Sequence, residues 1–479
     1  MHVVIRLIMN IIGREAEQKI LQEIYESKKP EFVAVYGRRR IGKTYLIKNF
    51  FKGEFDFYMT GAFNSTMADM LEYFNMQLEE YSGKKWPKPK SWLQAFRQLQ
   101  DFLKSLKKDR VIVFIDELPW FDTPRSRFIS ALELFWNGWG DSQTNLKFIV
   151  CGSATTWMVG KLIGDKGGLH NRVTRKIYLA PFNLKETEQL LRYNGVKWNR
   201  HQIVECYMAM GGTPYYLSKI DRTKSLPQNI DSLFFHHAGE LRTEYDILFR
   251  SLFKESTIYR RVVELLSRKA VGMTREEIVT SLKLEKGGQI SEALKNLISC
   301  DFIRVYNSYG KKERDRLYQL TDLFTLFYLK QVKGHQNDSE GYWISLIDNP
   351  SHRAWAGYAF EQVCLHHIPQ IKATLGISGV QAEVSSWIGI EDGKRVGQID
   401  LLIDRRDEVI NLCEMKYSLS AYDITPSYMA HLNERIEIFR KMTKTRKAIH
   451  LTFVTVNGIK HNAQWGMVQN EVTADDLFK

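Results

Sequence analysis

Two groups of residues in this 479-residue chain combine type and spacing in ways that chemistry can use. The first is GRRRIGKT, Gly37 to Thr44, which satisfies G-x-x-x-x-G-K-[ST]. Glycines in such a loop let backbone N–H groups curl around phosphate oxygens, and the helix opening at its end adds partial positive charge. Lys43 can reach β- and γ-phosphates, and the Thr44 hydroxyl can hold Mg²⁺. The expected nucleotide-contacting residues are Gly37, Arg38, Arg39, Arg40, Ile41, Gly42, Lys43, Thr44 and Tyr45. Further along, VIVFIDE ends on two acids. Asp116 would take Mg²⁺ directly or through water, and Glu117 would polarise an attacking water. Ser153, which closes LKFIVCGS, suits either a γ-phosphate sensor or a helix N-cap.

The second group lies late in the chain. Asp400 ends one apolar run, and Glu414-x-Lys416 ends the next. A short turn (DRRDEV) would bring the two ends together, and strand alternation puts Glu414 and Lys416 on one face. Asp400 and Glu414 could share one or two Mg²⁺ or Mn²⁺ ions, with the Met415 carbonyl as a further oxygen. Lys416 would then orient a hydroxide or stabilise transition-state charge. Glu361, on the polar edge of the helical stretch WAGYAFEQVCLHH, suits a third acid. The same residues also suit a plain acid–lysine cluster, or a site that binds nucleic acid without cutting it.

The elements around these groups divide the chain into four. Residues 9–180 alternate apolar runs (EFVAVY, DFYMTG, VIVFID, LKFIVCG) with amphipathic helices, as strands buried on both faces of a parallel sheet do. Residues 181–255 read as helical. Residues 256–331 read as three helices followed by two strands, with Thr274 and Glu277 forming a capping box. That order is the winged helix-turn-helix arrangement. Gln289, Ser291, Lys295 and Asn296 would face a major groove, and Lys311, Lys312, Arg314 and Arg316 would meet phosphates. Glu292 on the same helix argues against a nucleic-acid face, and such modules also serve as protein contacts. The polar tract VKGHQNDSEG reads as a linker before a mixed α/β segment, 342–479.

Composition sets the frame. A net charge of +13 and a pI of about 9.2 favour polyanionic partners. The five scattered cysteines form no CxxC pair and read as buried thiols of a reducing cytoplasm. No stretch reaches transmembrane length, so no membrane partner is expected. Met9 begins a more typical start than Met1, which makes the first eight residues an apparent extension.

GREAE, GRRRIGKT, VIVFIDELPW, IVCGSATTWM, GGLHNRVTRKIYLAPF and GGTPYYL, in that order, resemble the archaeal and bacterial AAA+ ATPase family related to the STAND class. The resemblance covers about the first 250 residues. It implies ATP as cofactor with adenine near Gly13 and Arg14, Ser153 in the sensor position, and Pro214 in the lid. Arg172 falls at the family's arginine after the sensor strand. It would face a phosphate in cis or across a subunit boundary, which makes a homo-oligomer an expectation, or else form a surface ion pair.

The C-terminal segment resembles the PD-(D/E)XK nuclease superfamily through Glu361, Gln398, Asp400, Glu414 and Lys416, with Ile399 where proline often stands. The expected fold is α/β: a P-loop NTPase parallel sheet with a helical lid, a winged helix-turn-helix module and a C-terminal mixed α/β restriction-endonuclease-like domain. The expected function is an ATPase coupled to a DNA-binding, Mg²⁺-dependent nuclease. The alternative is a STAND-like signalling or DNA-binding switch that does not cleave. A DNA-translocating motor would need pore loops, which the sequence does not offer.

Overall fold

A computed structural model describes residues 11–164, 169, 171–253, 255–283, 288–311, 315–335, 341–347 and 349–479. Met9 and the eight residues before it, together with Lys312 and Arg314, lie outside these residues. The chain forms two compact units, 1–180 and 181–479.

The first unit is built on five parallel strands: β1 (Glu31–Tyr36), β2 (Phe57–Thr60), β3 (Val111–Asp116), β4 (Leu146–Gly152) and β5 (Arg175–Tyr178), in the order β2-β3-β4-β1-β5. Alternation along β1 sends Phe32 and Ala34 into one core and Val33 and Val35 into another on the opposite face. Helices Met67–Ser82, Trp92–Ser105 and Phe128–Gly138 cover the first face. Helices Glu15–Glu26 and Lys43–Phe50 cover the second. Four strands follow the apolar runs read from the sequence. The fifth, RKIY, is an edge strand with its two basic residues exposed, so it carries no continuous apolar signal.

The second unit begins with helices Leu184–Tyr193 and Arg200–Met210. Helices Ser256–Leu266, Arg275–Ser281 and Gly288–Ser299 follow, with an antiparallel sheet of β6 (Met273–Thr274), β7 (Ile303–Tyr306) and β8 (Leu317–Leu320), ordered β6-β8-β7. Helix Pro350–His366 leads into a five-stranded mixed sheet: β9 (Ala382–Glu391), β10 (Lys394–Arg405), β11 (Val409–Lys416), β12 (Ala448–Thr455) and β13 (Asn470–Thr473), ordered β13-β12-β11-β10-β9. β9, β10 and β11 pair antiparallel, whereas β11, β12 and β13 run parallel, so helix Pro426–Thr443 serves as the crossover from β11 to β12. One apolar cluster runs from Phe182 to Phe478, and a second, containing Trp387 and Phe439, covers the other face of the sheet.

Two features revise the sequence reading of the middle helices. Asn296 is buried and donates its side-chain N–H to Tyr259 Oη at 2.8 Å, so it anchors the helix to its own core and presents nothing to a groove. Gln289, Ser291 and Lys295 are exposed. The segment after β7 is not a free flap either. Ser308 bridges Ser386 of β9, Tyr309 N–H donates to the Ser386 carbonyl at 2.6 Å, and the Tyr309 ring packs on Phe439.

Candidate functional site

The loop after β1 has the shape its glycines permit. Gly37 has φ +143°, and a Cβ there would lie 2.3 Å from the Leu179 carbonyl oxygen. Gly42, the N-cap of Lys43–Phe50, is left-handed at φ +88°. Lys43 is buried, and its ammonium donates to the carbonyls of Gly37 (3.0 Å) and Arg38 (2.8 Å), inside the cradle where phosphate oxygens would sit. Burial lowers its pKa, while Glu117, Cys151 and Asp116 oppose that shift.

Thr44 Oγ1 donates to Asp116 Oδ2 at 2.7 Å, which joins the loop to the end of β3. The other carboxylate oxygen of Asp116 accepts from Glu117 N–H at 2.9 Å and from the Cys151 thiol at 2.6 Å. Glu117 has φ +49°, and its Oε2 accepts from Ser153 N–H (3.2 Å) and Ser153 Oγ (2.8 Å). Ser153 is therefore a partner of Glu117 at the end of β4. The hydroxyl and carboxylate oxygens of Thr44 and Asp116 are hard ligands that fit Mg²⁺. Arg14, left-handed at φ +57°, donates to the Ile41 carbonyl at 3.2 Å, and Gln18 donates to the Gly13 carbonyl at 2.6 Å, so this turn braces the loop. Arg38 is buried, whereas Arg39 and Tyr45 are exposed. Arg40 is left-handed at φ +74°. Arg172 is 48% exposed and reaches Asp141 at 4.0 Å, a weak surface pair. Pro214 lies in the second unit, in the first turn of helix Pro214–Leu217. Cys151 is the contact that sequence reasoning missed. The register that pairs Ile115 with Val150 sets it beside Asp116.

The second group of residues also converges. Ile399 pairs with Trp387 and Leu402 with Ser385, so β10 carries one extra residue at Asp400–Leu401, a bulge that re-aims the Asp400 side chain. Leu401 faces Cys413 across the antiparallel pair, which sets Asp400 opposite Glu414. Gln398 donates to Asp400 Oδ1. Glu414 is 8% exposed and meets three donors: Lys416 at 2.8 Å, Arg435 at 2.9 Å and the Tyr428 hydroxyl. Burial disfavours its charged form, but Lys416 and Arg435 outweigh that and hold its pKa below the usual range.

Asp400 and Glu361 go the other way. Burial and then Glu414 push Asp400 up, against Gln398, Arg435 and Lys416. Burial and then Asp400 push Glu361 up to about 8, with Lys416 opposing and Glu414 adding. Like charges this close cannot both ionise at ordinary cost. Arg304 of β7 is a further electrostatic neighbour of Asp400 and donates to Gln319 at 2.6 Å.

Burial and neighbouring carboxylates thus favour the neutral forms of Glu361 and Asp400, while Glu414 is already satisfied by protein donors. Among the described residues, no three His, Cys, Asp or Glu side chains are placed to hold a metal together. Sequence reasoning missed Arg435 and Tyr428, which project from one face of helix Pro426–Thr443 two turns apart. All five cysteines are buried, and none forms a disulfide. No described helix is long and apolar enough to cross a membrane.

The parallel sheet, the glycine loop and the acids at the end of β3 give the first unit an α/β arrangement like that of P-loop ATPases. Residues 11–220 match the family model described as an ATPase domain predominantly from Archaea. An uncharacterised protein of Methanocaldococcus jannaschii is 28% identical over 417 residues, 85% of this chain and 87% of that one. Among solved structures, the Walker-type ATPase of Pyrococcus abyssi is similar at 19% identity and a TM-score of 0.47, over 67% of this chain and 96% of that one. The ORC2 protein of Aeropyrum pernix is similar at 17% identity and a TM-score of 0.38, over 67% and 95%.

Proposed function

We propose that the first unit binds and hydrolyses ATP, and that the second engages nucleic acid, DNA in the first instance, at the carboxylate cluster to cleave it with Mg²⁺ or Mn²⁺. The observation that carries the ATPase half is the linked set Thr44–Asp116–Glu117–Ser153 beside a buried Lys43. Lys43 exchanges its two carbonyl partners for β- and γ-phosphate oxygens. Thr44 and Asp116 would hold Mg²⁺, which would draw charge off the phosphates. Ser153 releases or re-aims Glu117, which then orients the attacking water. Gly13 and Arg14 line the adenine end, and Pro214 belongs to the lid. Arg172 faces a phosphate in its own chain or in a neighbouring copy of a homo-oligomer.

In the second unit, Asp400 and Glu361 would take the cation, Glu414 would join them only by leaving its protein donors, and Lys416 would steady the developing charge at phosphorus. The helices from Ser256 to Ser299, with β6–β8–β7, act as a winged helix-turn-helix whose exposed Gln289, Ser291 and Lys295 are the contact residues. One observation favours a second reading, an ATP-driven switch that binds nucleic acid without cutting it. Glu414 already has three donors, and an ion must displace at least one of them.

The test is plasmid and oligonucleotide cleavage in Mg²⁺, with and without ATP, by wild type, Lys43→Ala and Glu414→Ala. ATP turnover that persists in Lys43→Ala refutes the first half, and cleavage that persists in Glu414→Ala refutes the second. ATP-dependent retention of intact DNA selects the switch.

A further inference from the structure

The second unit contains a cavity of about 380 Å³ that neither set of residues described above occupies. Its size is that of a small-molecule pocket. Trp343 and Trp355 meet edge to face at 5.6 Å on its wall, and the His352 ring lies 5.0 Å from one and 5.5 Å from the other. Both tryptophans are buried, at 3% and 5% exposed. The Trp355 indole N–H is nevertheless left without a hydrogen-bond partner among the described residues. A buried donor in that state can be met by a water or by an acceptor on a ligand in the cavity that Trp355 lines.

Two further groups line the same cavity. Glu205 accepts the Tyr417 hydroxyl at 2.5 Å and faces His201 at 3.8 Å, both through Oε1. Among the described residues its second oxygen has no hydrogen-bond partner. Arg353 is exposed at the cavity and lies one helical turn from Asn349, to which only its backbone N–H is bonded. Its guanidinium can take an anion bidentately.

An aromatic corner asks for a flat ring, the indole N–H for an acceptor on that ring, the carboxylate for ring N–H donors, and the arginine for a negative substituent. A guanine nucleotide carries all four. Guanine fits Glu205 best, because its N1–H and exocyclic amine are adjacent donors while O6 and N7 are acceptors. Adenine would turn the lone pair of N1 toward the carboxylate, and uracil offers a single ring N–H. We propose that this cavity is a nucleobase site, selective for guanine, that takes the base against Trp343 and Trp355, its donor edge on Glu205 and its phosphate on Arg353. The base can come from a free mononucleotide or from an unstacked position of a single strand. The assignment does not depend on whether the carboxylate cluster cleaves.

Isothermal titration of the full chain with GMP, AMP, UMP and a short single-stranded oligonucleotide with one guanine tests this. The Lys43→Ala protein is titrated in parallel to remove the contribution of the P-loop. One-to-one binding of GMP or of the oligonucleotide is expected in both proteins, at least tenfold tighter than AMP or UMP. GMP alone identifies the free nucleotide as the source, and the oligonucleotide alone identifies the strand. Trp355→Phe, which keeps the ring and deletes the N–H, should weaken binding several-fold. Glu205→Gln, which can still accept from Tyr417, should erase the preference for guanine while melting as wild type does. Absence of heat with every probe, binding lost in Lys43→Ala, or equal affinity in both pocket variants overturns the proposal.

Discussion

Replacing Glu361 by glutamine should change how the stability of the second unit depends on pH. In the folded chain burial, Asp400 and Glu414 raise the Glu361 carboxyl to about 8, from an ordinary value of 4.5. A carboxyl whose folded pKa is raised binds its proton more tightly when folded, so its contribution is whole below about 4.5 and is lost as pH climbs through about 8. Between these limits wild type loses up to about 1.4 kcal/mol per pH unit, or about 2.7 kcal/mol from pH 5.5 to 7.5. Partial solvent access and the shared proton with Asp400 reduce this to about 1–2 kcal/mol. Glutamine carries no such titration, so the Glu361→Gln protein should gain on wild type by that amount across the window. Urea unfolding followed by tryptophan emission at several pH values reads it as a midpoint difference that widens by roughly 0.3–0.7 M at a slope of about 3 kcal/mol/M. Mg²⁺ should flatten the wild-type slope, because a cation beside Glu361 stabilises its charged form. A constant offset between the two proteins at every pH would refute the reasoning, since it would mean that Glu361 titrates as an ordinary surface glutamate.

Gly37→Ala should destabilise the first unit by more than about 1 kcal/mol, because φ is +143° and the new Cβ meets the Leu179 carbonyl at 2.3 Å; calorimetry should show its transition lowered by about 2–4 °C per kcal/mol. Ser153→Ala removes a 2.8 Å bond to Glu117 and should cut kcat for ATP by about tenfold while leaving Kd unchanged, as stopped-flow binding and turnover can separate. Asn296→Ala leaves the Tyr259 hydroxyl without its partner and should cost about 1–3 kcal/mol in urea unfolding, yet leave DNA affinity within twofold in fluorescence anisotropy.

The legible parts of this chain are those whose signal is local. β1, β3 and β4 stand out because strands covered on both faces are nearly continuous in apolar residues, and the loop residues from Gly37 to Thr44 are contiguous. β5 escapes the same reading because half of its residues face solvent. In the second group, strand alternation correctly brought Glu414 beside Lys416. What a run of sequence does not carry is the crossover helix that returns over the sheet and sets Tyr428 and Arg435 on the same carboxylate. The partner of Asn296 was hidden for a related reason. A polar side chain on a candidate contact helix looks alike whether it faces a groove or, as here, a tyrosine 37 positions away.

Helix Leu184–Tyr193 opens with a backbone N–H bonded to the buried His367 imidazole at 3.0 Å, across 183 positions. The acceptor nitrogen must be neutral, and burial holds the His367 pKa down at about 4. The same apolar cluster is closed by Leu477 and Phe478. During synthesis the sheet of the first unit has all its strands once Tyr178 has left the ribosome, whereas the second unit waits for nearly the last residue of the chain. Until Leu477 and Phe478 arrive, the helices that follow Pro181 lack part of the apolar surface that covers them in the folded unit.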